Sequence, residues 1–412
     1  IAVLAQALGV DYDRMVSLKV NKNLVPIQQL LNSNFMKDLP LELFGIEKGK
    51  MLEVISNAPL KANAFISSLI ELARNYDLNE ERFYHSLMRS YQELNECYFD
   101  DIENEVDLFK KQLGLGIDEV PTQTQLSDYL TTKFGYKIDE TTIAQYPELI
   151  DLRAIYQKQS KTLLLNSKLS ESQKSFLYAK EIAYQYLKLS DRAFTTPSPS
   201  IHSFEQVMNK MKSSYFAGAL LLPRQPIVSA LKDFIGQDTC QPQILLNLLE
   251  QYDCSVEMLQ IRILNLSAKY LGLSNLFFLR VNDTAGNADY QMAKEFHLGQ
   301  LHNPHGNSIS EHYCRRWLSL SMFQKLRLAK ENGENKPVVG VQRSKYLDSK
   351  NEYFIIAMAR WSGRKPNYAL SVNIGFLLNA EFKKRVKFWA DPAVPTKLVN
   401  ITCERCSLSD CT

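Results

Sequence analysis

The chain has 412 residues, with 48 Lys plus Arg against 45 Asp plus Glu and a net charge of +3. That length suits roughly two to four domains and needs no disulfide or metal to make up for size, while near-balanced charge excludes a surface coated with basic residues for non-specific nucleic-acid binding. The 45% hydrophobic and 10% aromatic content excludes wholesale disorder, and no apolar run reaches the roughly 18 residues of a membrane span.

The opening IAVLAQALGV has no basic leader and no small-residue cleavage site. It reads as the last helix of a domain upstream rather than a signal or transit peptide. Residues 59–113 read as helical throughout, with Pro59 in a first turn and Asn79 as an N-cap. From Glu93 to Asp107 there are seven acidic residues and no basic one, expected as a solvated helix face and a helix start. Next, PTQTQLSDYLTTKFGY predicts a short helix, and LRAIYQ and KTLLLNS predict two short strands joined by a polar turn. SESQKSFLYAKEIAYQYLKLS predicts a long helix opened by Ser170 or Ser172, and TTPSPSIHS a loop. Further helices are expected at 203–221, 226–235, 242–252 and 255–271.

After Leu273 the pattern turns to strands. LFFLRV, EYFIIAMARW and NYALSVNIGF read as three of them, with NDTAGN as a turn. Composition shifts place boundaries near 120 and 273.

Three segments carry candidate chemistry. The helix holding Tyr178-Ala179-Lys180-Glu181-Ile182-Ala183-Tyr184 follows a two-strand unit, the context in which a zinc peptidase places H-E-x-x-H. Lys180 and Tyr184 stand where the two imidazoles would be and only Glu181 remains. An ammonium repels Zn²⁺, so the expectation is a core helix or a cleft retired from catalysis and reused for a ligand. Lys180 and Tyr184 share one face of that helix. With Arg262 of IRILNL and Arg280 of FFLRV approaching from a neighbouring helix and strand, they form a candidate site for an anionic ligand. Second, Cys403-x2-Cys406-x4-Cys411, with Cys314 as the distant fourth ligand, suits a metal or cluster, free thiols or a redox disulfide being the other readings. His297, His302, His305 and His312 are loosely zinc-like but lie in a turn-rich stretch. Third, residues 360–388 hold Arg360, Arg364, Lys365, Lys383, Lys384, Arg385 and Lys387 against Glu381 alone. That is a solvated face or a contact for a phosphate-bearing ligand or DNA.

LAQALGVDYDRMVSL resembles the end of a repressor-like helix-turn-helix. LLLNSKLSESQKSFLYAKEIAYQYL followed by YFAGALLLPR resembles the ImmA/IrrE peptidase-like domain. LFFLRVNDTAGNADYQMAKEFHLGQ, CRRW and CERCSLSDC resemble the C-terminal domain of the short-chain fatty acyl-CoA regulators, which include the mycobacterial propionate regulators. The resemblance implies a multidomain α+β chain with a mainly helical N-terminal half. Its parts would be the end of a helix-turn-helix and a linker at 1–20, a helical linker domain at 21–120, a degenerate zincin-like pseudo-peptidase domain at 121–272, and a C-terminal α/β sensor domain with an antiparallel sheet at 273–412. It further implies a cytoplasmic, non-enzymatic transcription regulator that binds DNA through its N-terminal domain. Such a regulator senses a short-chain acyl-CoA or CoA and forms a homodimer or higher homo-oligomer away from membranes. The family's cysteine motif maps onto Cys314, Cys403, Cys406 and Cys411 and implies a 4Fe–4S cluster. The x2-then-x4 spacing without a second CxxC agrees, and zinc is the alternative metal. The rivals are a metallopeptidase-like regulator and a protein-interaction scaffold with a structural zinc.

Overall fold

The structure, a computed structural model, describes residues 41–45, 80–197, 200–284, 290–298, 311–347, 349, 351–363 and 367–411. The expectations at residues 1–20, Pro59, Asn79, His302, His305, Arg364 and Lys365 lie outside them. The chain divides into two units, Ile1–Tyr91 with Ser200–Val207 and Gln92–Pro199 with Met208–Thr412. The second holds every site described below. The fold is α+β.

Helix is not continuous to residue 113. α1 (Glu80–Leu94) ends where Glu96 and Cys97 take φ of 50° and 55°, and α2 (Asp100–Gln112) begins after Phe99. The left-handed pair turns the chain, and the Cys97 N–H closes the turn on the Gln92 carbonyl at 2.7 Å. The first turn of α2 carries Asp100, Asp101 and Glu103, and its last carries Lys110 and Lys111, which suits the helix dipole. The acidic stretch is not wholly solvated as expected: Glu103 is buried, for a reason given below.

Between residues 137 and 196 lies a four-stranded sheet of order β1-β3-β2-β4, rather than the two strands expected. β2 (Ala154–Gln157) and β3 (Thr162–Leu165) form the hairpin read from the sequence, with Ile155 opposite Leu164. β1 (Lys137–Asp139) adds in parallel to β3, and the two-residue β4 (Thr195–Thr196) adds to β2 inside the stretch expected as loop. Such short flanking strands carry no periodicity to read. α3 (Gln123–Phe134) packs on α4 (Glu171–Tyr186). Both begin with capping boxes, at Thr122 with Gln125 and at Ser170 with Gln173, so Ser170 is the cap rather than Ser172. α5 (Phe204–Leu221), α6 (Arg224–Ile235), α7 (Gln243–Gln251) and α8 (Val256–Leu266) follow, and α8 runs into a π-helical turn at Ser267–Leu271.

The C-terminal sheet has six strands rather than three, in the order β10-β7-β8-β9-β5-β6. β5 (Leu276–Asp283), β8 (Glu352–Trp361) and β9 (Ala369–Leu377) are the strands read from sequence. β6 (Tyr290–Leu298), β7 (Val338–Tyr346) and β10 (Thr396–Val399) were not foreseen. Asn282 and Asp283, expected in a turn, continue β5. Every pairing is antiparallel except β10 with β7. Alternation along β8 sorts the core: Phe354, Ile356 and Met358 face α6, α7 and α8, while Tyr353, Ile355, Ala357 and Ala359 face α9 (Leu318–Glu331). Phe277, Leu279 and Val281 share one face of β5 by ordinary alternation, and the β5–β6 register shifts between Arg280 and Val281, with Ala293 of β6 as the extra residue. α10 (Ala380–Arg385) follows β9 and carries Lys383, Lys384 and Arg385 in its last turn.

Candidate functional site

α4 is buried on all sides from Leu177 to Tyr184. Lys180 and Tyr184, one turn apart, meet on one face with the ammonium 5.8 Å from the ring centre. No carboxylate among the described residues lies in ion-pair range of Lys180. Burial, and then the charge of Lys210, pulls its pKa down to about 7.

Glu181 points into a closed polar network. Arg192 donates to both its oxygens, at 2.7 and 2.6 Å, and the Tyr136 hydroxyl donates to it at 3.1 Å. Tyr136 in turn accepts from Gln185 at 2.8 Å and stacks on Tyr156 with ring centres 4.9 Å apart. The Arg192 guanidinium lies 3.8 Å from the ring centre of Tyr184 and 4.8 Å from that of Tyr156. The carboxylate a zincin would use as its base is therefore occupied on both oxygens, and the two metal positions hold an amine and a phenol. Arg192 supplies this lock and was missed. It lies eleven residues downstream, and only the fold brings it back.

Arg262 and Arg280 do not join Lys180 and Tyr184. Arg262, fully buried on α8, forks onto Glu103 of α2 and donates to the Leu222 carbonyl at 2.9 Å. Tyr215 also donates to Glu103, at 2.9 Å. Burial raises the Glu103 pKa, but Arg262, with Tyr215 and Arg224, more than offsets this and holds it below the usual carboxylate range. Arg280 pairs with Glu257 at 2.7 Å, and Lys294 reaches the same carboxylate at 3.5 Å. Arg153, which sequence reading did not single out, exerts its charge on both Lys180 and Glu257.

The second constellation ties the chain's end to the segment before α9. Tyr313 and Thr402 form an antiparallel bridge. The Cys314 N–H donates to Ile401 at 3.2 Å, the Cys403 N–H to His312 at 2.9 Å, and the Trp317 indole to the Asn400 carbonyl at 2.8 Å. Within this frame Cys314 is buried and accepts the Asn400 N–H at 3.4 Å. Burial raises its pKa, the N–H groups of Asn400 and Arg316 lower it, and the charges of Cys403 and Cys406 raise it again, so these sulfurs are electrostatic neighbours. Arg316 donates to the Cys411 sulfur at 3.0 Å and to Asp410 at 2.5 Å. All seven cysteines are free thiols. Four thiols on two tethered segments are a donor set whose chemistry suits a thiolate-bound metal centre. Their side chains, like every other His, Cys, Asp and Glu among the described residues, are not drawn up into a metal-holding group. His312 pairs instead with Glu404 at 2.6 Å, and His297 lies 3.6 Å from Glu295.

The family described as the IrrE N-terminal-like domain, Peptidase_M78, matches residues 137–264, from β1 almost to the end of α8. That segment contains α4, so Lys180, Glu181 and Tyr184 lie in the IrrE-like domain. Comparison with curated protein sequences finds no match. A solved structure of a Mycobacterium tuberculosis transcriptional regulator superposes with a TM-score of 0.55 at 17% identity, covering 80% of this chain and 92% of that one. At that identity the likeness speaks for the fold. Among the described residues no helix is long and apolar enough to cross a membrane.

Proposed function

We propose that the chain is a cytoplasmic, DNA-binding transcription regulator in which the IrrE-like domain senses a ligand instead of cutting peptides. The observation that carries this reading is the Arg192 lock on Glu181 beside Lys180 and Tyr184. A peptidase needs that carboxylate free to take a proton from a metal-bound water. The fold shared with a mycobacterial transcriptional regulator supports the regulatory role. The ligand in this reading is a short-chain acyl-CoA. Its phosphates suit the cationic surroundings of Lys180, whose pKa the charges of Lys210, Arg192 and Arg153 lower. Arg262 and Arg280 are left out of this contact by their pairings with Glu103 and Glu257. Cys314, Cys403, Cys406 and Cys411 would hold a 4Fe–4S cluster, which supplies oxygen and redox sensitivity when bound. The regulator acts as a homo-oligomer.

The test is anaerobic purification of the full chain with iron, sulfide and zinc analysis, followed by calorimetry with propionyl-CoA. About four iron and four sulfide per chain and saturable acyl-CoA binding weakened by Lys180→Met support the reading. One zinc without sulfide points to the scaffold reading. Zinc-dependent peptide cleavage abolished by Glu181→Gln points to a peptidase.

A further inference from the structure

Lys180 lies in α4 with 8% of its surface exposed, and its ammonium has neither a hydrogen bond nor an ion pair among the described residues. Tyr184, one turn further along α4, has its hydroxyl hydrogen-bonded to Ser213 of α5, and Lys210 stands one turn before Ser213 on that helix. Lys210 is exposed, so the cluster reaches the protein surface beside it. Arg192, against the other side of the Tyr184 ring system, has its charge met by Glu181, whereas Lys180 has no carboxylate of its own. Lys210, Arg192 and Arg153 act against a proton on Lys180, while Glu181 acts for it.

A nearly buried amine among cations is better off without its proton. With a pKa of about 7, roughly half of the Lys180 side chains are neutral at neutral pH, against fewer than about one in a thousand for an ordinary lysine. A neutral amine is a nucleophile. A negative charge placed on it would turn the repulsion from Lys210, Arg192 and Arg153 into attraction. Carbon dioxide is the reactant that meets both conditions. It is small and uncharged, so it reaches a nearly buried amine without desolvating a charge, and its adduct carries a carboxylate.

We propose that Lys180 is a carbon dioxide site, converted reversibly to a carbamate whose negative charge Lys210 and Arg153 stabilise. The lone pair of the neutral Nζ attacks the carbon of carbon dioxide and a C–N bond forms. One C–O π pair moves onto oxygen, the nitrogen gives a proton to solvent, and nothing is oxidised or reduced. The carbamate would repel the phosphates of an acyl-CoA, so the two would compete for the site. It is read out without acyl-CoA, and its failure would leave the acyl-CoA reading standing.

The test titrates the full chain, free of carbon dioxide and acyl-CoA, with carbon-13-labelled bicarbonate at neutral pH, followed by carbon NMR. Wild type should show a saturable carbamate resonance that Lys180→Met lacks, and any resonance common to both belongs to the terminal amine. Lys210→Ala, a change at an exposed residue, should weaken the carbamate about tenfold, because it both raises the Lys180 pKa and removes a cation from the adduct. Trapping the adduct with an alkylating oxonium salt and mapping peptides by mass should place the label on Lys180. No resonance beyond that of Lys180→Met, a label on other lysines only, or an undiminished carbamate in Lys210→Ala would each overturn the proposal.

Discussion

Arg192 holds Glu181 in a two-point grip, its Nη1 and Nη2 lying 2.7 and 2.6 Å from the two carboxylate oxygens, with Tyr184 and Tyr156 against the guanidinium. Both partners are buried, at 7% side-chain exposure each. Such a pair does little for stability when compared with a well-packed apolar pair. Breaking it from one side strands a charge.

Arg192→Ala and Glu181→Ala are therefore each expected to cost about 3–5 kcal/mol in urea denaturation, and the double variant clearly less than their sum. Strict additivity would show that the two side chains are not coupled and that Glu181 is freer than the geometry says.

Lys180 should make stability pH-dependent on the alkaline side. Its folded pKa is lowered to about 7 from an ordinary 10.5. Below the folded value both states carry the proton, and the native state bears the full penalty of a buried charge. Between the two values the unfolded state binds the proton and the native state does not, so stability rises with pH. Lys180→Met should thus stabilise the protein by a few kcal/mol at pH 6, with the advantage fading toward pH 10. An advantage independent of pH would contradict a depressed Lys180.

Arg262 is a structural partner of Glu103, and Arg262→Met should cost about 3 kcal/mol, the low end for a broken buried pair, because Arg224 at 3.6 Å and the Tyr215 hydroxyl remain on that carboxylate. Glu103 has its folded pKa held below the ordinary 4.5, so the pair's contribution is complete above that pH and is lost as pH falls through the folded value. Acid titration of stability in wild type should show this loss, and in the double variant Glu103→Leu with Arg262→Met it should vanish.

Gly375 on β9 stands opposite Phe277 on β5, and a Cβ there would run into the Phe277 ring. Gly375→Ala should destabilise by about 1–3 kcal/mol, with partial rescue by Phe277→Leu. A neutral substitution would mean that the ring has room to turn.

Long periodic elements were legible in the sequence, and single long-range partners were not. The helices at Gln123–Phe134, Glu171–Tyr186 and Phe204–Leu221 and the strand Glu352–Trp361 announce themselves through caps and apolar runs. β7 was missed because VVGVQRSKY puts Gly340 and the polar Gln342, Arg343, Ser344 and Lys345 into a strand half covered by α9, and β10 because four residues carry no period. The loss of both imidazoles around Glu181 is written in the sequence. The grip of Arg192 is not, since nothing local joins residue 192 to 181. Likewise Cys314 and Cys403 could be grouped by residue type, while the Tyr313–Thr402 bridge that joins their segments follows only from the fold.

The regulatory reading is tested most directly by selection of genomic DNA fragments on the full-length protein, purified without oxygen, with and without propionyl-CoA. The account predicts that a small set of sequences is retained, that propionyl-CoA changes their affinity, and that Lys180→Met blunts this response while leaving unliganded DNA binding intact. Retention of no sequence under either condition, by protein that hydrolyses peptides once zinc is supplied, would contradict it.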